Sequence, residues 1–130
     1  MFKSITRSIM VATLLAFAAP AYSGGQAMQI YYCSQDEDAS DEQVDEIAMA
    51  WLKAARSMKG GENLQGYLRF PVAADAGEDD FVVVLIAPSF AEWGTFTDGY
   101  AGSPAEDVDD QFEEIADCTR STLWESHEVK

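Results

Sequence analysis

Seven consecutive apolar residues, Phe81–Ala87 (FVVVLIA), constrain this chain more than any other stretch. Acidic, turn-forming residues precede the run and Pro88 follows it. It is too short for a core helix and rich in β-branched side chains, so it reads as a strand. Side chains along a strand alternate between the two faces of a sheet. A strand with no polar position is therefore central and covered on both faces.

The neighbouring segments supply the rest of a sheet. Asn63–Val72 alternates, with Leu64, Gly66, Leu68, Phe70 and Val72 on one side and Gln65, Tyr67 and Arg69 on the other. Gly66 and Pro71 suit an edge strand, and a polar turn over 73–80 joins it to the central strand as a hairpin. Met28–Cys33 is a short β-favouring run. Thr119–Val129, containing Trp124 and His127, reads as a final strand of mixed character.

Helices are announced by their caps. Ser40-x-x-Gln43 is a capping box, with acids in the first turn and Lys53, Arg56 and Lys59 towards the end, which suits the helix dipole. Val44, Ile47, Ala48, Trp51, Leu52 and Ala55 form one apolar stripe, and Gly60-Gly61 stops the helix. Ser89-x-x-Glu92 is a second box, although Gly94 and Asp98-Gly99 limit that segment to a turn or two. Ser103-Pro104-Ala105-Glu106 is a third, with proline at the first helical position. Val108, Phe112 and Ile115 line the helix that follows, which ends near Asp117-Cys118.

The resulting order, β-α-β-β-α-β, is the α+β ferredoxin-like unit: an antiparallel sheet of order 4-1-3-2 with its helices on one face. That topology places the apolar third strand centrally and the proline-bearing second strand at an edge. It also makes the first and fourth strands neighbours, so that Cys33 and Cys118 meet.

The N-terminus reads as an export signal. Lys3 and Arg7 precede an apolar run, Ile9–Ala19, of about half the length that a membrane span requires. Pro20 and the small residues Ala21 and Ser23 then set up cleavage after Ser23, with Ala27 the alternative. The expected organisation is a signal peptide over 1–23 and one domain over 24–130, secreted or periplasmic and free of the membrane once cleaved. In an oxidising compartment the only two cysteines are expected to pair. The formal charge is −15 before any cleavage, and the expected signal contains basic residues but no acid. Such a field repels nucleic acid and anionic membranes.

With helices on one face, the other is expected to carry Gln65, Tyr67, Arg69, Tyr31 and half of the third strand's apolar residues. A bare face of this kind calls for cover, and pairing with its own copy makes a two-fold homodimer. In this element order the chain resembles the dimeric α+β-barrel superfamily, which includes antibiotic-biosynthesis monooxygenase-like, NIPSNAP-like and stress-responsive barrel proteins. The resemblance implies a barrel built from two sheets, often with a small-molecule pocket between sheet and helices. It also raises a cofactor-independent monooxygenase using an Asn, a Trp and a His. Trp51, Trp93 and Trp124 are present, but Asn63 is the only asparagine and begins the second strand, and His127 is three residues from the C-terminus. The triad does not map onto this chain, and haem would have only the same histidine as axial ligand.

The candidate site residues follow from chemistry. Phe90, Trp93, Phe96 and Tyr100 crowd a glycine-punctuated segment that can line an apolar pocket. Tyr31, Tyr67 and Arg69 are ligand candidates on the sheet, Arg69 through carboxylate binding. His127 and Arg69 are the weak catalytic candidates. Asp36, Glu37, Asp38 and Asp41 invite calcium, but the EF-hand pattern fails: its glycine position holds Asp41 and its glutamate position holds Ile47. No metal and no cofactor is expected. The leading functional reading is a non-enzymatic exported binding or assembly module that holds a small apolar ligand. An oxygenase of the barrel superfamily and an acidic antagonist of a cationic protein are the alternatives.

Overall fold

The computed structural model describes residues 24–73 and 79–130; the expected signal peptide lies outside the described residues. The element order is β1 (Gln26–Gln35), α1 (Asp41–Arg56), β2 (Gln65–Arg69), β3 (Phe81–Ala87), α2 (Phe90–Asp98), α3 (Pro104–Glu113) and β4 (Ala116–Ser126). Among the described residues the strands form one antiparallel sheet in the order β2-β3-β1-β4, as the split βαβ topology demands. The fold is α+β and ferredoxin-like, with β3 central and β2 at an edge.

Local chemistry sets the elements. At α1 the Ser40 hydroxyl accepts from the Gln43 backbone N–H, and the Ser40 backbone N–H donates to the Gln43 side chain. The helix ends at Arg56, before the glycine pair. Gly60 has φ +86°, and a Cβ there would lie 2.6 Å from the Glu92 carbonyl oxygen and the Phe96 nitrogen. The glycine is thus required by the close approach of this turn to α2 as well as by its backbone conformation.

Several boundaries differ from the sequence reading; β1 is longer at both ends, and β4 stops at Ser126 rather than Val129. α2 runs through Gly94 for nine residues. A mid-helix glycine costs about 1 kcal/mol, and the burial of Trp93 and Phe96 on the same helix outweighs it. α3 ends at Glu113, and β4 begins at Ala116, so Cys118 lies inside the strand rather than before it. β2 ends at Arg69, yet Phe70 still stacks on Phe81 with ring centroids 5.6 Å apart.

Cys33 and Cys118 stand opposite each other in the β1–β4 register and form a disulfide spanning 85 residues. A loop of that size restricts the unfolded chain by about 4–5 kcal/mol in the chain-entropy model. Beside the bond the register shifts, so that Thr119 is an extra residue and Arg120 pairs with Tyr32.

The helices pack on the face formed by Ala27, Tyr31, Cys33, Phe81, Val83, Leu85 and Ala87. The opposite face carries Met28, Ile30 and Tyr32 beside Val82, Val84 and Ile86, with Tyr67 and Arg69 on β2 and Arg120, Thr122 and Trp124 on β4. Tyr31 was expected on this second face. With Cys33 buried at the disulfide, the odd positions of β1 all turn to the helices, so Tyr31 faces them and Tyr32 takes the outer place. There the Arg120 guanidinium sits 3.6 Å from the centre of the Tyr32 ring.

Candidate functional site

A cavity of about 490 Å³ lies between the helix-covered face of the sheet and the helices. That is within the range of small-molecule sites. Its floor is the inner face of the sheet, including Tyr31, Val83 and Leu85, and α1 contributes Trp51 and Leu52. Gly66 matters here: a Cβ at that position would lie 3.3 Å from Leu52, so the bare backbone of β2 leaves Leu52 room on the wall.

The aromatic side chains form a connected group. Phe96 meets Trp51 edge-on with centroids 6.1 Å apart, Trp93 at 5.7 Å and Tyr100 at 5.8 Å. Trp93 and Phe96 are 8% and 2% exposed, so they fill the core as much as they line the space. Trp51 and Tyr100 are only partly buried and carry the polar handles.

Those handles form a directed chain. The Trp51 indole N–H donates to the Tyr100 hydroxyl at 3.1 Å, and that hydroxyl donates to Asp109 Oδ2 at 3.0 Å. Burial pushes the Tyr100 hydroxyl far above its ordinary titration range; the Trp51 hydrogen bond opposes the shift, and the Asp109 charge adds to it. The Tyr31 hydroxyl is also raised, by burial first and by Asp109 second. Both phenols are neutral at physiological pH. The three groups come from α1, the α2–α3 connection and α3, so the packing of α1 against α3 holds the chain together.

The sequence candidates divide. Tyr31, Trp93, Phe96 and Tyr100 come together at the cavity. Tyr67 belongs to a segment along its edge, but strand alternation directs its ring to the outer face, where its hydroxyl donates to Gln65 Oε1 at 3.2 Å. Arg69 shares that face, 5.7 Å from the Tyr67 ring. Phe90 packs against the core and does not line the cavity. His127 is exposed at the far end of β4, 3.1 Å from Glu125. Asn63 is exposed as well and donates to Glu92 Oε1 at 3.3 Å. Neither lines the cavity, so an Asn–Trp–His constellation is not assembled there. Among the described residues no group of three or more His, Cys, Asp or Glu could hold a metal ion.

Trp51 and Asp109 were absent from the candidate set. Trp51 reads as one more apolar position of α1, although its indole N–H needs an acceptor once buried. Asp109 left a clearer sign: Ala105, Val108, Asp109 and Phe112 fall at i, i+3, i+4 and i+7, which sets a carboxylate within the apolar stripe of α3.

No family model matches the chain, and no curated protein is similar to it in sequence. Solved structures share its fold. A dimeric ferredoxin-like protein of unknown function from Thermobifida fusca aligns with TM-score 0.52 and 14% identity over 82% of this chain and 94% of that one. An Arabidopsis thaliana protein aligns with TM-score 0.53 and 9% identity over 82% and 96%. A protein named as a candidate chlorite dismutase aligns at TM-score 0.48 and 18% identity over 77% of this chain, which spans 43% of that protein.

Proposed function

We propose that this chain is an exported, homodimeric binding module that holds a small molecule with an apolar body in the cleft between its sheet and its helices. The observation that carries the reading is the cavity of about 490 Å³, walled by Trp51, Trp93, Phe96 and Tyr100. A concave, largely apolar space of this size that opens to solvent on one side is suited to a ligand.

Export rests on the N-terminal charge and apolar pattern and agrees with the disulfide, which persists in oxidising compartments. Among the described residues no helix is long and apolar enough to cross a membrane. Dimerisation rests on the outer face of the sheet, where Met28, Ile30, Val82, Val84 and Ile86 stand together with Tyr67 and Trp124. The Thermobifida fusca protein of the same fold is described as dimeric, which supports dimerisation, and a face paired with its own copy gives a two-fold dimer. The outcome would be a barrel of the dimeric α+β type.

Trp124 is 55% exposed in the single chain, so Trp124→Glu should spare the fold and disrupt the pairing. Sedimentation should give a dimer for the parent and a monomer for the variant, with matching circular dichroism. A parent chain that sediments as a monomer at all concentrations refutes the pairing. For the cavity, a small probe with an apolar body should change the fluorescence of Trp51 and Trp93 saturably; an unresponsive spectrum together with no calorimetric heat, for neutral and charged probes alike, refutes it.

A further inference from the structure

We infer that the cavity selects a positively charged ligand: a small organic ammonium whose apolar body lies among the aromatic rings and whose charge is met by Asp109. The inference rests on the proposed binding role of the cavity and adds the sign of the charge it accepts. The site is the aromatic cavity itself; the acids decide what it prefers.

Three observations converge. The first is the charge of the lining. Asp45 on α1 and Asp109 and Glu113 on α3 line the cavity, and no Lys, Arg or His does. Asp117 also borders it, but β4 alternation turns that side chain to the other face of the sheet. An anionic ligand would enter with no cation to meet it, against a chain that carries a formal charge of −15.

The second is the direction of the hydrogen-bond chain. The Trp51 N–H is spent on Tyr100 and the Tyr100 O–H is spent on Asp109. Both donors point along the chain, which ends in a carboxylate. One hydrogen bond uses a fraction of the acceptor capacity of an ionised carboxylate. A ligand that meets the end of the chain therefore meets acceptors, and a group rich in donors or positive charge complements it. The Trp51 and Tyr100 bonds also fix the position of the carboxylate before any ligand arrives, which lowers the cost of ordering it on binding.

The third is the aromatic wall. Trp51 and Tyr100 have ring centroids 6.4 Å apart, and Phe96 stands within about the same distance of each. The faces of such rings carry negative quadrupole charge, and clustered rings recognise ammonium groups by cation–π attraction that strengthens when the cation is desolvated. Rings and carboxylate attract the same charge. A neutral hydrocarbon would fill the volume and leave the acceptor capacity of Asp109 beyond its Tyr100 hydrogen bond unused.

The test compares three probes of one shape on the full, oxidised protein by titration calorimetry at low ionic strength: benzyltrimethylammonium, its neutral carbon isostere neopentylbenzene, and the anion benzylsulfonate. The ammonium is expected to bind about tenfold or more tighter than the neutral isostere, and the sulfonate weakest. Asp109→Asn keeps an acceptor for Tyr100 while removing the charge; it should lower ammonium affinity by a similar factor and leave the neutral isostere unchanged. Unchanged neutral binding doubles as the control that the variant is folded. Equal or tighter binding of the neutral isostere to the parent protein overturns the charge selection and leaves the cavity reading intact, without recourse to any variant. Ammonium binding that Asp109→Asn does not weaken places the cation on the acidic surface and overturns the assignment. Binding by none of the three refutes the cavity reading and this inference with it.

Discussion

Val84 and Leu85 are adjacent in β3 and equally buried, each 4% exposed, yet they bury for different reasons. Leu85 points to the helices and belongs to the core cluster with Trp93 and Phe96. Val84 points the other way, flanked in register by Ile30 and Tyr67, and belongs to neither core cluster. One face of the sheet is sealed by the chain's own helices and contains the cavity. The other is an apolar surface that its own strands have only partly hidden. A strand apolar at every position asks for cover on both sides, and within one chain the described elements answer on one side only.

The disulfide offers the largest way to break this contrast. It lies on the sealed side, with Cys33 fully buried, and ties β1 to β4 where the register shifts. Replacing both residues, Cys33→Ser with Cys118→Ser, should cost about 4–5 kcal/mol in the chain-entropy model, a large part of the stability of a domain this small. Denaturant midpoints before and after the change would measure it. A loss below about 1 kcal/mol would mean that the sealed face holds β4 without its covalent staple.

The two neighbours in β3 sharpen the comparison next. Leu85→Ala should cost about 2–5 kcal/mol at every protein concentration, because the atoms it loses are packed within the chain. Val84→Ala removes less, and its cost should grow with protein concentration if a second copy covers it, since dimer formation stabilises the folded state by mass action. Thermal midpoints over a hundredfold concentration range distinguish the two. A Val84→Ala penalty that ignores concentration would mean that no second copy rests on Val84 and that its own strand neighbours account for its burial.

Much of this was legible beforehand. β3 was readable to the residue because an apolar heptad between turn signals admits few alternatives, and the strand order followed from element order together with the positions of Cys33 and Cys118. Capping boxes located every helix start. Helix ends were harder, because Gly94 is a breaker by propensity while Trp93 and Phe96 are anchors by packing, and the anchors won. The side on which Tyr31 lies could not be read from a strand with tyrosines at consecutive positions; it is set by the burial of Cys33. The site was half visible. Its rings showed as composition, but the bond from Trp51 to Tyr100 joins residues 49 apart, and periodicity within a single helix carries no information across that distance.

The smallest effect concerns how firmly that polar chain is built into the sealed face. The Tyr100 hydroxyl titrates well above its ordinary value of 10.0, chiefly through burial. A group with a raised folded-state pKa holds its proton after the unfolded chain has released it, so its stabilising contribution is complete below pH 10 and fades as pH climbs beyond. Tyr100→Phe deletes that titration along with the bonds to Trp51 and Asp109. Near neutral pH the variant should be about 1 kcal/mol less stable. Above pH 10 its stability should fall less steeply than the parent's, though not stay flat, because Tyr31 is shifted in the same direction. Urea midpoints across that range give both quantities. Parallel curves would show that the hydroxyl is open to water, and that the polar end of the cavity belongs to the surface rather than to the face that the helices close.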